Sequence, residues 1–224
     1  MKIFVRAVFI IAVPLLLVAG SISIAVNCGA LYRYGFSSNN IASVTGISDA
    51  ELARVADELI DYFNSSEDYV NITVVKDGES FTLFNEREVQ HLLDVKKLFH
   101  LGYYVATGAL VICLITATLL WWAYKDREAL FRSMFYGGIL TLLLMLALGA
   151  IFLIDFDAFF YRFHLLSFAN DLWLLNPETD YLIKLFPQPF WFHAALFCAM
   201  GAAVGAIVIG LTGFLLGRHY REIS

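Results

Sequence analysis

The 224-residue chain is 60% hydrophobic and 16% charged, with a formal net charge of −5 and a mean hydropathy of +0.72. That balance excludes a single water-soluble core and points to an integral membrane protein. With three cysteines, Cys28, Cys113 and Cys198, no disulfide framework can be read, and all three are taken as packing residues.

A helix rises about 1.5 Å per residue and the hydrocarbon core is roughly 30 Å thick, so a spanning helix needs about 20 mostly apolar residues. Four stretches meet that length: 4–26, 101–124, 134–154 and 190–216. The first contains Pro14, which should kink it or loosen one turn. It is longer than the roughly 7–15-residue apolar region of a signal peptide and lacks an A-x-A-like site, so a retained anchor is expected.

Residues 28–100 are long enough for a small folded domain. In "SDAELARVADELIDYFN", Ser48 and Glu51 have capping-box spacing, and Leu52, Val55, Leu59, Ile60 and Phe63 recur at helical spacing. "VNITVVKDGESFTLFN" then predicts two short strands joined at Asp77-Gly78, a pair suited to a tight hairpin. "NEREVQHLLDVKKLFH" predicts a helix running into the second span, with Arg87, His91 and Asp94 on one stripe at i, i+4 and i+7. The fold class expected is membrane, mainly α: four transmembrane helices with a small extracellular α+β domain, an amphipathic helix plus β-hairpin, between spans 1 and 2.

Charge gives the orientation. Lys2, Arg6, Lys125, Arg127, Arg132, Arg218 and Arg221 face only Asp126, Glu128 and Glu222 on one side, while the other side is strongly acidic. The positive-inside rule puts both termini and the loop between spans 2 and 3 in the cytoplasm. Residues 28–100 and 155–188 then lie outside. The glycines of the fourth span, Gly201, Gly205, Gly210, Gly213 and Gly217, include two G-x-x-x-G spacings and are read as helix-packing positions.

The outer stretch "FHLLSFANDLWLLNPETDYLIKLFPQPFW", 163–191, holds His164, Asn170, Asp171, Trp173, Asn176 and Asp180 beside a membrane span. Polar groups at that depth are costly and normally line a cavity, so His91 and His164 suggest a shared interfacial pocket. His100 and His193 sit at span ends as interface anchors, and His219 lies among basic cytoplasmic residues. The chain has no H-E-x-x-H, no G-x-S-x-G and no Gly-rich phosphate loop. A metal on the two histidines would need a third ligand such as Asp94 or Asp171, and no standard ligand spacing is present, so no metal and no cofactor are expected. Two histidines without a nucleophile fit acid/base chemistry.

"NEREVQHLLDVKKLF" together with "FHLLSFANDLWLLNPETDYLIKLFPQPFW" resembles the paired signature segments of the bacterial lipoprotein intramolecular transacylase family, Lit, and the likeness extends to four spans and one outer domain. The resemblance implies an acyltransferase that moves the sn-2 acyl chain of a diacylglyceryl-cysteine lipoprotein to the α-amino group of the same cysteine. It also implies that His91 and His164 are the functional histidines. Partners would be a diacylated bacterial lipoprotein and membrane lipid, with no nucleic acid, at the cell membrane with an outward-facing site.

Around the two histidines, Arg87, Asn170 and Trp173 are expected as substrate contacts, with Asp94 and Asp171 as orienting groups. Arg87 would favour a neutral His91 and Asp94 an imidazolium, so the division of roles stays open. The competing class is a non-enzymatic four-helix membrane protein whose acidic outer domain binds an envelope partner.

Overall fold

The computed structural model describes residues 1–223 and divides into two compact units, one of residues 1–23, 101–154 and those from 196 on, the other of residues 24–100 and 155–195. Among the described residues the chain is mainly helical, with four helices long and apolar enough to cross a membrane and one two-stranded antiparallel sheet.

The first unit is built from α1 (Lys2–Val26), the later part of α5 (Glu86–Thr118) with its π-helical extension Leu119–Ala123, the first part of α6 (Arg127–Ser167), and the later part of α8 (Gln188–Ile223). Pro14 lies inside α1, which runs through it as one helix. Val5, Phe9, Ala12 and Val13 of α1 pack with Cys113, Leu120, Ala129 and Leu130. Outward-facing residues are as apolar as the core: Leu146, Leu153 and Ile154 are 72%, 82% and 84% exposed. Such a surface suits lipid rather than water.

Buried hydroxyls in this unit bond back to their own helices. Ser133 Oγ donates to the Ala129 carbonyl at 2.7 Å and Thr141 Oγ1 to the Gly137 carbonyl at 2.9 Å. Close approach depends on small residues, as the fourth-span glycines suggested. A methyl group at Gly138 would lie 2.6 Å from the Ala206 carbonyl oxygen and 2.9 Å from the Gly210 Cα. Both obstacles are backbone.

The second unit carries α2 (Gly29–Ser38), α3 (Ile41–Thr45), α4 (Asp49–Asn64), β1 (Thr73–Lys76), β2 (Glu79–Thr82), α7 (Tyr181–Leu185), the first turns of α5 and α8, and the later part of α6. Four residues of the stripe foreseen on α4, Leu52, Val55, Leu59 and Phe63, are buried with Ala56, while Ile60 is only half-buried; Ile72, Val74, Leu83 and Phe84 are buried as well. Ser48 Oγ accepts the Glu51 N–H at 3.3 Å, the forward half of the capping box. Glu51 bonds instead to Arg54 and to the Val75 N–H, while Arg54 donates to the Thr73 carbonyl, so α4 is pinned to β1. Asp77 and Gly78 have φ of 53° and 83°, the two positive values of a type I′ turn, and Lys76 pairs with Glu79 across it.

One expectation is corrected by the structure. Residues from 155, read as loop, begin as helix: α6 is broken only at Asp155, whose φ of −160° and ψ of 87° are extended. Its Oδ1 accepts the Ala158 N–H at 2.9 Å, so Asp155 caps a second helical segment that continues to Ser167.

Gly138→Ala should destabilise the protein by about 1–3 kcal/mol, the usual cost of overpacking where backbone must move. Gly102→Ala, inside α5 with nothing within 4 Å of the new methyl, should leave the thermal unfolding temperature in detergent unchanged or slightly raised. An unchanged temperature for Gly138→Ala would contradict the close helix contact.

Candidate active site

The site grows from the first turns of α5. Asn85 caps that helix: its Oδ1 accepts the Glu88 N–H at 3.1 Å, and Glu88 Oε2 accepts the Asn85 N–H at 2.8 Å, a complete reciprocal box. One residue earlier than Glu88, Arg87 donates from Nε to the Leu172 carbonyl at 3.3 Å and from a second nitrogen to the Asp171 carbonyl. Asp94, two turns further along, accepts from Asn170 Nδ2 at 2.8 Å, and Asn170 Oδ1 takes the Leu172 N–H at 3.1 Å. The stripe read from the sequence therefore grips segment 170–172 at both ends, with His91 between the grips.

That grip sets His91 and His164 face to face, their ring centroids 6.3 Å apart and their planes 32° from parallel. His91 is 6% exposed, and its Nδ1 is buried without a hydrogen-bond partner. A buried unpaired ring nitrogen costs about 1–3 kcal/mol; His193 Nδ1 shares that condition, and what singles out His91 is the second histidine facing it. His164 lies on the capped second segment of α6, four residues after Phe160, and its Nδ1 lies 2.8 Å from the Phe160 carbonyl. A carbonyl only accepts, so Nδ1 carries the proton and a neutral His164 keeps its Nε2 lone pair.

Aromatic rings enclose the pair. Phe160 meets His164 at 4.4 Å, Trp173 at 5.0 Å and Phe168 at 5.6 Å, and Phe168 also meets His91 at 5.0 Å. Burial pushes His91 down to about 4, helped by nearby His164 and Arg87 and opposed by Asp94. Burial also lowers His164, against the Phe160 carbonyl, which favours its protonated form. Both rings are therefore neutral at neutral pH.

All seven expected residues gather here, in altered parts. Trp173 touches His164, but Arg87 and Asn170 are occupied by the protein's own main chain and by Asp94. Asp94 bonds to Asn170 and Lys97 and reaches the His91 ring only through its charge, and Asp171 contributes its carbonyl. Among the described residues, no three His, Cys, Asp or Glu side chains are placed to hold a metal ion.

Sequence reasoning missed Asn85, Glu88 and Phe168. Asn85-x-x-Glu88 has the spacing that flagged Ser48 and Glu51, and that was the available signal. Two other histidines of this unit have their own partners: His100 Nε2 is 2.8 Å from the Phe63 carbonyl, and His193 packs on Tyr34 at 5.7 Å.

The family model described as lipoprotein intramolecular transacylase Lit matches residues 7–191. The membrane integral lipoprotein intramolecular transacylase Lit from Bacillus cereus has the same fold, with a TM-score of 0.84 and 23% identity over 100% of this chain and 99% of that one. A form of that protein with one histidine replaced by arginine gives a TM-score of 0.80 at 24% identity, covering 100% and 95% of the two chains. An uncharacterized protein of Aquifex aeolicus is 28% identical over 137 residues, 61% of this chain, and the chain spans 59% of that relative's length.

The buried neutral ring has a consequence for stability. An unfolded histidine takes up protons below about pH 6.5, whereas folded His91 resists protonation down to about 4. The contribution is full above pH 6.5 and is lost as pH falls towards 4. Thermal unfolding followed between pH 7 and pH 4 should show this loss, reduced in His91→Gln. An identical pH dependence in that variant would contradict the buried neutral ring.

Proposed function

We propose, from the premise that the chain belongs to the lipoprotein intramolecular transacylase (Lit) family, that it moves the sn-2 acyl chain of a diacylglyceryl-cysteine lipoprotein onto the α-amino group of the same cysteine. The observation that carries this reading is the facing pair of neutral imidazoles, one with a free Nε2 lone pair and one with an unpartnered buried Nδ1.

The attacking α-amine has a reference pKa of about 8 and must lose a proton to bond to the ester carbonyl carbon. His164 Nε2 takes that proton, because its other nitrogen is committed to Phe160. His91, which burial keeps neutral at neutral pH, donates a hydrogen bond to the oxyanion of the tetrahedral intermediate, and burial strengthens that bond. Collapse of the intermediate keeps the new C–N bond, breaks the C–O bond to glycerol, and returns the proton from His164 to the glyceryl oxygen. The protons balance without a cofactor. Amine and ester belong to one bound molecule, so the reaction is unimolecular and the entropic part of the barrier is reduced.

Trp173 contacts the substrate beside His164, while Arg87, Asn170, Asp94 and the Asp171 carbonyl act by holding the segment that carries it. The excess of basic residues around Lys125 and after the fourth span supports cytoplasmic termini, spans at 4–26, 101–124, 134–154 and 190–216, and a site on the outer side in residues 28–100 and 155–188.

His91→Gln and His164→Gln should each lower the rate of amide-linked acyl formation by about 10²–10⁴-fold, the usual contribution of a positioned acid or base. His219→Gln should match wild type. Full activity in the His91→Gln, His164→Gln double variant would end this mechanism.

Orientation is tested separately with single cysteines at Glu79 and Lys125, both exposed, in a background lacking Cys28, Cys113 and Cys198. An impermeant thiol reagent should label only the Glu79→Cys protein in intact cells. Labelling of Lys125→Cys alone would place the site inside.

A further inference from the structure

Among the described residues Glu88 is the most deeply buried carboxylate, and the proposed chemistry does not use it. It is 1% exposed, and both of its oxygens are occupied. Oε2 accepts the Asn85 N–H at 2.8 Å, and Oε1 accepts the Leu182 N–H at 2.6 Å. The second contact joins segments 94 residues apart.

The reason lies in α7. Asp180 stands at its N-cap but bonds elsewhere: its oxygens accept the Asn176 N–H at 2.8 Å, the Asn85 amide at 3.0 Å and the Thr179 hydroxyl at 2.9 Å. The first-turn N–H groups of α7 are thus left to a foreign carboxylate, and Glu88 supplies it.

We propose that Glu88 is a positioning residue for the acyl transfer, tethering the first turn of α5 to the start of α7 so that His91, one turn on, stays aimed at His164. Arg87 ties the neighbouring face of that turn to residues 171 and 172, and Glu88 ties this one to residues 180 to 182. With both ties made, the turn cannot rotate without breaking bonds to main-chain groups. Losing the Glu88 tie frees His91 to move and to meet water. This inference rests on the transacylase reading.

Glu88→Gln keeps the size but offers one acceptor and one donor where two N–H groups point. The expected result is a kcat lowered about 10–100-fold, the effect of a misplacement of about 1 Å, with KM within about twofold. The second readout is the His91 ring titration by NMR. His91 faces His164, Asp94 and Arg87; as it becomes hydrated, its pKa should rise from about 4 towards about 6.5.

Gly138→Ala, a destabilised variant in the other unit, should retain kcat and the His91 titration. If Glu88→Gln does not fold, Asp180→Asn weakens the same tether and should shift both readouts in the same direction. A kcat within twofold of wild type would overturn the proposal, as would a loss of kcat with His91 titrating as before. His91→Gln run alongside separates the two ideas, because full activity there removes the mechanism itself, whatever Glu88 does.

Discussion

The candidate site depends on side chains of one helix binding the main chain of a distant segment. Arg87 and Glu88 between them take two carbonyls and an N–H from residues 171, 172 and 182, and Asn85 and Asp94 bind Asp180 and Asn170. An irregular segment has few ladder partners for its own peptide groups, and pairing them with side chains of a helix fixes the segment to that helix. Charged side chains on the first turns of α5 make those pairings. Because they do, His91 and His164 face each other although about 70 residues separate them in the chain.

The environment of the pair then follows from what else is near. Phe160, Phe168 and Trp173 exclude water and offer no charge, so burial governs protonation and holds both rings neutral. A neutral imidazole is the form that can accept a proton from an amine, and a neutral N–H can donate to an oxyanion without neutralising it. The Phe160 carbonyl chooses the tautomer of His164, a choice made by helical spacing alone because residues i and i−4 meet. The unpartnered Nδ1 of His91 carries a free-energy cost, and in the proposed mechanism that group is the one left for substrate.

Much of the fold was legible because its signals are local. Length and hydropathy mark the four apolar helices, Ser48 and the stripe after it mark α4, and Asp77-Gly78 marks the hairpin. The kink at Asp155 was not legible, since Asp155 and Asp157 at the end of an apolar run also fit a loop boundary; only the bond of Asp155 to the Ala158 N–H identifies it as a cap. At the site, the stripe of Arg87, His91 and Asp94 could be read from spacing, and Trp173, expected as a substrate contact, lies against His164. What spacing could not tell is what each polar group binds. Arg87 and Asn170 look like substrate ligands in a sequence, and in the fold they hold main chain and a neighbouring carboxylate. Glu88 was passed over because an acidic residue in a helix's first turn normally needs no further partner.

The central claim is an acyl shift from oxygen to nitrogen within one molecule. The direct test gives the purified protein a diacylglyceryl-cysteine lipopeptide whose sn-2 acyl chain alone is isotopically labelled, and follows the product by tandem mass spectrometry. The account predicts an unchanged total mass, with the label in an amide on the cysteine nitrogen and a lysoglyceryl group on its sulfur. Release of the label as free fatty acid, or its appearance on a second unlabelled peptide present in the same reaction, would contradict it.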